Sequence, residues 1–100
     1  MNIQYIGFEQ HPRCRTYSFR VVEILKQQER EFQLSVENLS LAVHKFKFQD
    51  MPDLCFAKLK RDLALETQEQ IVPLRMSVSE AELKQYVMDH YPSKNKFKYS

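Results

Sequence analysis

Apolar residues recur at every second position in the first part of this chain and at every third or fourth position in much of the rest, so strands are expected first and helices after them. Residues 2–8 (NIQYIGF) are short and rich in strand formers, although their alternation is weak. His11-Pro12 marks a turn, because proline donates no backbone hydrogen bond and biases the residue before it towards extended conformations. Between 13 and 25, Tyr17, Phe19 and Val21 share one face against Thr16, Ser18 and Arg20. The apolar parity then passes to Val22 and Ile24, the one-residue slip that a β-bulge produces. Phe32, Leu34 and Val36 alternate with Glu31, Gln33, Ser35 and Glu37 as a half-buried strand. A two-residue loop at Gln27-Gln28 would set Val21 opposite Leu34 and Phe19 opposite Val36, apolar face on apolar face.

The helical period begins at Asn38, a residue that can cap a helix carrying Leu39, Ala42, Val43 and Phe46. A strand ending in Phe46-Lys47-Phe48 is the competing reading; helix is favoured. Asp50, an early Pro52 and Asp53 form a sharper helix start over 51–65, where Met51, Cys55, Leu59 and Leu63 make a stripe flanked by Leu54 and Phe56. Residues 67–70 are a loop. Leu74, Met76 and Val78 alternate as a short strand that Pro73 confines to an edge or a strand start. Ser79 and Glu82 form a capping box for a helix bearing Leu83, Tyr86, Val87, His90 and Tyr91, closed by Pro92. The order β-β-β-α-α-β-α implies an α+β fold: an antiparallel-rich sheet of three to four strands with about three helices packed on one face. Residues 1–92 are expected to form one domain, with 93–100 a mobile basic tail.

Composition supports a self-sufficient core. At 12.0 kDa and 43% apolar, about two thirds of the unfolded chain's surface can be buried without staples. The net charge of +2 belongs to the tail: residues 1–93 carry 12 basic and 13 acidic side chains, and Lys94, Lys96 and Lys98 supply the surplus. A near-neutral body lacks the field that gathers nucleic acid nonspecifically. No apolar run approaches the roughly 18 residues of a membrane helix, and no leader is evident, so a cytoplasmic protein with no membrane partner is expected. Cys14 and Cys55 lack CxxC spacing and are expected to be free thiols.

The rarest residue narrows the chemistry. Gly7 is the only glycine, so the glycine-rich phosphate loops and the GxSxG elbow are absent, and no nucleotide or other cofactor is expected. His11-x-x-Cys14 is half a metal site at most, and no metal is expected. Asp50 and Asp53, one helical turn apart, serve a helix N-terminus as readily as acid–base chemistry. Cys14 or Cys55 would need His11 or His44 beside it to act as a nucleophile, and His90 lies on an apolar helix face where packing is its ordinary role. No catalytic residue is assigned.

Two binding readings remain. A non-enzymatic protein acting through contacts with itself or another protein would use the Pro73–Arg75 edge and a tail in which Phe97 and Tyr99 alternate with lysines, a segment able to add as a strand. The alternative is nucleic-acid binding through Arg13, Arg15 and Arg20 with Lys94, Lys96 and Lys98, bases stacking on Tyr17 and Phe19. The shared parity of Tyr17, Phe19 and Val21 favours the core for those two rings.

Overall fold

The computed structural model describes residues 1–44, 46 and 50–90, with the backbone alone for His44 and His90. Its elements are β1 (Asn2–Gln10), β2 (Cys14–Glu23), β3 (Gln28–Glu37), α1 (Asn38–His44), α2 (Asp50–Ala64), β4 (Arg75–Ser77) and α3 (Glu80–His90). The four strands form one mixed, mostly antiparallel sheet in the order β1-β2-β3-β4. This is the α+β architecture expected from the change of period. Among the described residues no helix is long and apolar enough to cross a membrane. The boundary expected at 92–93, the basic tail, Tyr91, Pro92 and the rival strand at 47–48 all lie outside the described residues.

Alternation in β2 and β3 sends Tyr17, Phe19, Val21, Phe32, Leu34 and Val36 to one face, each at most 1% exposed. Met51, Leu54, Cys55, Leu59 and Leu63 of α2 pack onto that face, with Leu83 and Tyr86 of α3 and the partly buried Leu41 of α1. Burying a large aliphatic or aromatic side chain contributes about 1.5–3 kcal/mol, so this one cluster supplies most of the drive to fold. Val72, in the loop before β4, also enters it. Val72 stands between Ile71 and Leu74, both of them exposed, and no periodicity in the loop reveals which of the three turns inward.

Several details differ from expectation, each for a local reason. The β2–β3 ladder runs unbroken from Cys14↔Glu37 to Glu23↔Gln28, so the parity change at Val22 and Ile24 is not a bulge. Ile24 instead belongs to a four-residue turn, 80% exposed, whose carbonyl accepts from the Gln27 N–H at 3.1 Å. Gln27 adopts the left-handed conformation that closes it, at φ 50°. The turn's earlier position moves the register: Phe19 faces Phe32 and Tyr17 faces Leu34, four residues from the pairing that a Gln27-Gln28 loop would impose. Because the shift is even, the apolar faces still match.

The bulge lies in β1. Pairing with β2 slips between Tyr5 and Gly7, leaving Ile6 as the extra residue. Ile3 and Tyr5 before it, and Phe8 after it, therefore all stand opposite core residues of β2, namely Val21, Phe19 and Tyr17. Gly7 takes φ 155°, a conformation that residues with a Cβ rarely adopt. This explains the weak alternation of residues 2–8.

Asn38 begins α1 with its side chain turned away from the helix. Its Nδ2 donates to the carbonyls of His11 and Pro12, at 3.2 and 3.3 Å, and its Oδ1 accepts from Gln10 at 2.9 Å. It fastens α1 to the β1–β2 turn instead of capping. In consequence Leu39 and Val43, expected inward, are 72% and 64% exposed, while Leu41 faces the core. The capping box of α3 forms as expected: Glu82 accepts from the Ser79 N–H at 2.9 Å and Ser79 Oγ from the Glu82 N–H at 3.1 Å. β4 pairs with β3 in parallel, through Gln33 N–H to the Leu74 carbonyl at 2.8 Å and Val78 N–H to that of Ser35 at 2.9 Å. Leu74, expected on the apolar side of this strand, is 52% exposed.

Candidate interaction surface

Among the described residues the sheet has two open edges, and they differ in reach. β4 is three residues long, whereas β1 has nine. Alternate residues of an edge strand turn their N–H and C=O groups outward, a template for another strand. Lysine and proline, the usual protection, are absent from β1, and Glu9 is its only charge. Among the described residues, the bulge at Ile6 and the single charge of Glu9 are what protects this edge.

On the helix-covered side, α2 leaves the β1 margin partly open. Tyr5 is 43% exposed and Phe56 of α2 is 38% exposed. Tyr5 lies 5.3 Å from Phe19 and Phe56 lies 6.5 Å from Phe19, centroid to centroid. Phe8 stacks 5.8 Å from Tyr17. These tilted separations fall in the range where aromatic pairs attract beyond their burial. The result is an apolar margin continuous with the core. Burial pushes the Tyr5 phenol above its ordinary value of 10.

The three arginines singled out from the sequence are divided. Arg15 lies on the helix side at the end of the aromatic margin, where its Nε donates to Gln10 at 2.8 Å and its guanidinium sits 5.2 Å over the Phe8 ring. Arg20 points from the opposite side of the sheet, 4.0 Å from Glu29. Arg13 is exposed in the β1–β2 turn. Tyr17 and Phe19 are buried in the core, at 1% and 0% exposure. Lys94, Lys96, Lys98, Phe97 and Tyr99 lie outside the described residues. Pro73 is exposed just before β4, and Arg75, also exposed, stands opposite Gln33 on the open side of the sheet.

That open side holds a shallow concavity of about 350 Å³ lined by Glu9, His11, Cys14, Thr16, Ser35 and Arg75 among others. Thr16 and Ser35 hydroxyls bond to each other at 3.0 Å. Among the described residues no three His, Cys, Asp or Glu side chains converge as metal ligands. Cys14 and Cys55 are both free; Cys55 is wholly buried and its thiol is pushed up to about 12 by burial, the reverse of an activated nucleophile. Asp50 is buried at the start of α2 and Asp53 is exposed.

A second groove, of about 310 Å³, runs between α2 and α3. Its charges are internally matched: Lys58 Nζ donates to Glu82 at 2.6 Å and to Asp62 at 3.3 Å, and Arg61 reaches Glu82 at 3.2 Å. Burial works against the charge on Glu82, but the bonds from Lys58 and the Ser79 N–H outweigh it and hold the carboxyl below its usual range. These groups tie the two helices together, and Asp89, which also lines the groove, accepts from the neutral Gln85 amide at 2.9 Å.

Sequence reasoning places the exposed edge at Pro73 and Arg75; the longer and less protected edge is β1. Its low charge marks an unprotected edge only once the strand order is known. Comparison with protein-family models, with curated proteins and with solved structures yields no match to this chain.

Proposed function

We propose that this is a non-enzymatic protein of the cytoplasm that works by contact, receiving a strand of a partner protein along the outer edge of β1. The observation that supports this reading is the coincidence of a nine-residue edge strand carrying one charge with the aromatic margin of Tyr5, Phe8 and Phe56 beside it. An added strand would satisfy outward backbone groups, and its alternate side chains would cover the rings. Backbone bonds would supply general affinity and the aromatic margin would select for apolar partner residues.

Ile6 provides the test. It is the extra residue of the bulge and is 49% exposed, so lysine there should leave the core intact while charging the docking edge. Sedimentation of lysate from the native host should show the wild-type chain in an assembly larger than one subunit, and Ile6→Lys, folded with an unchanged thermal midpoint, should sediment as a monomer. A wild-type chain that travels alone, or an assembly indifferent to Ile6→Lys, overturns the proposal.

A further inference from the structure

We infer that the strand received by β1 is β1 of a second copy, paired antiparallel about a two-fold axis so that the two sheets become one of eight strands. This inference rests on the contact reading of β1 above and names its partner. It follows from the arithmetic of the bulge. Before the bulge, the β1 residues on the helix side are odd-numbered, Ile3 and Tyr5; after it they are even-numbered, Phe8 and Gln10, opposite Tyr17 and Arg15. Gln4 and Glu9, opposite Arg20 and Thr16, lie on the open side.

Antiparallel pairing of a strand with its own copy keeps the sum of the paired residue numbers constant. An odd sum matches odd with even, so the first half of one copy meets the second half of the other with like face on like face. An even sum that crosses the bulge would oppose the apolar face of one strand to the polar face of the other. A sum of 13 also sets the irregular pair Ile6-Gly7 against its own symmetry mate, leaving regular backbone against regular backbone on both sides. Tyr5 of each copy then faces Phe8 of the other, twice across the axis, extending the ring cluster built on Tyr17 and Phe19. A two-fold interface demands this kind of self-complementarity.

The charges agree with the same register. Glu9, the only charge of β1, falls opposite Gln4 of the other copy, one strand away from that copy's Arg20, and the two Glu9 carboxylates stay apart. No like charges meet directly across the seam.

The experiment is sedimentation equilibrium of the purified full chain, wild type and two Gln4 variants. The wild type should dimerise in the micromolar range. Gln4→Lys puts an ammonium opposite Glu9 in both halves of the seam and should tighten the dimer by about 2- to 30-fold, the effect of two opposite-charge cross-strand pairs; Gln4→Glu should weaken it by a similar factor. Within one subunit Gln4 neighbours Arg20, so the same substitutions should move subunit stability the other way, and a tighter Gln4→Lys dimer cannot be a by-product of a firmer fold. A strict monomer to about 1 mM, or a dimer indifferent to both substitutions, overturns the inference. If the purified chain is monomeric while the Ile6-sensitive assembly persists in lysate, β1 serves another protein and only the self-pairing fails. If that assembly is also absent, both readings fail.

Discussion

Arg30→Met should unfasten the loop after α2 from the β2–β3 hairpin. The Arg30 guanidinium donates to both oxygens of Glu66, at 2.9 and 3.0 Å, and to Glu23 at 2.9 Å. It lies 5.2 Å over the Phe32 ring, and Glu66 also accepts from the Val72 N–H at 2.8 Å. All three charged side chains are 15–17% exposed, so solvent weakens these bonds less than at an open surface. A hydrogen bond to a charged group contributes about 1.5–3 kcal/mol. Three bonds sharing one fork do not add, and the Arg30 Nε, buried with no acceptor among the described residues, takes part of the gain back. The expected loss is about 2–4 kcal/mol, or roughly 10–25 °C in thermal midpoint for a domain of this size. A double-mutant cycle with Glu66→Gln, measured by urea unfolding, should return about 1–2 kcal/mol of coupling. The Arg30 bond holds the Glu66 carboxyl below its ordinary value of 4.5. Its contribution is therefore complete above that value and disappears as pH falls through the lowered one, so the wild type should lose more stability than Arg30→Met across this acid range. Coupling under about 0.3 kcal/mol, or equal acid slopes in the two proteins, would refute the reasoning.

Gly7→Ala should cost about 1–3 kcal/mol in urea unfolding purely through the backbone, because a Cβ built there meets nothing within 4 Å while φ stays at 155°; a neutral result would remove the bulge from its place in β1. Cys55, wholly buried and pushed up to about 12, should resist a thiol reagent at pH 8 while half-buried Cys14 reacts, giving one modified thiol in the native chain and two after unfolding. Two equivalents at comparable rates in the native protein would show that α2 does not cover Cys55.

The sequence reveals elements where a local rule and the core demand the same thing. In β3 the alternation of Phe32, Leu34 and Val36 satisfies strand geometry and burial together, and in α2 the stripe from Met51 to Leu63 does the same at helical spacing. The capping box of α3 is visible because both of its bonds form between residues three apart. α1 shows the opposite case. Leu39 and Val43 have helical spacing, but Asn38 is tethered to a turn more than twenty residues earlier, and that tether sets the face the helix presents. Val72 is drawn inward beside a bond from its N–H to Glu66, which is itself held by Arg30; no window of neighbouring residues contains that chain of causes.

β1 was the least legible element, and the proposed function depends on it. Its apolar residues look irregular only when counted without the extra residue; with Ile6 set aside, Ile3, Tyr5 and Phe8 fall on one face opposite Val21, Phe19 and Tyr17. A bulge is a relation between two strands, so its position becomes visible only once β2 is beside β1. Whether a strand is an edge is likewise a property of the sheet. Pro73 marked β4 as an edge through a local rule, the missing N–H, whereas β1 carries no such mark and is an edge only because the order β1-β2-β3-β4 places no described strand beyond it. The same sequence feature therefore has opposite meanings in the two settings: one charge in nine residues would suit a central strand, and on an edge it leaves backbone groups and aromatic rings for another chain to cover.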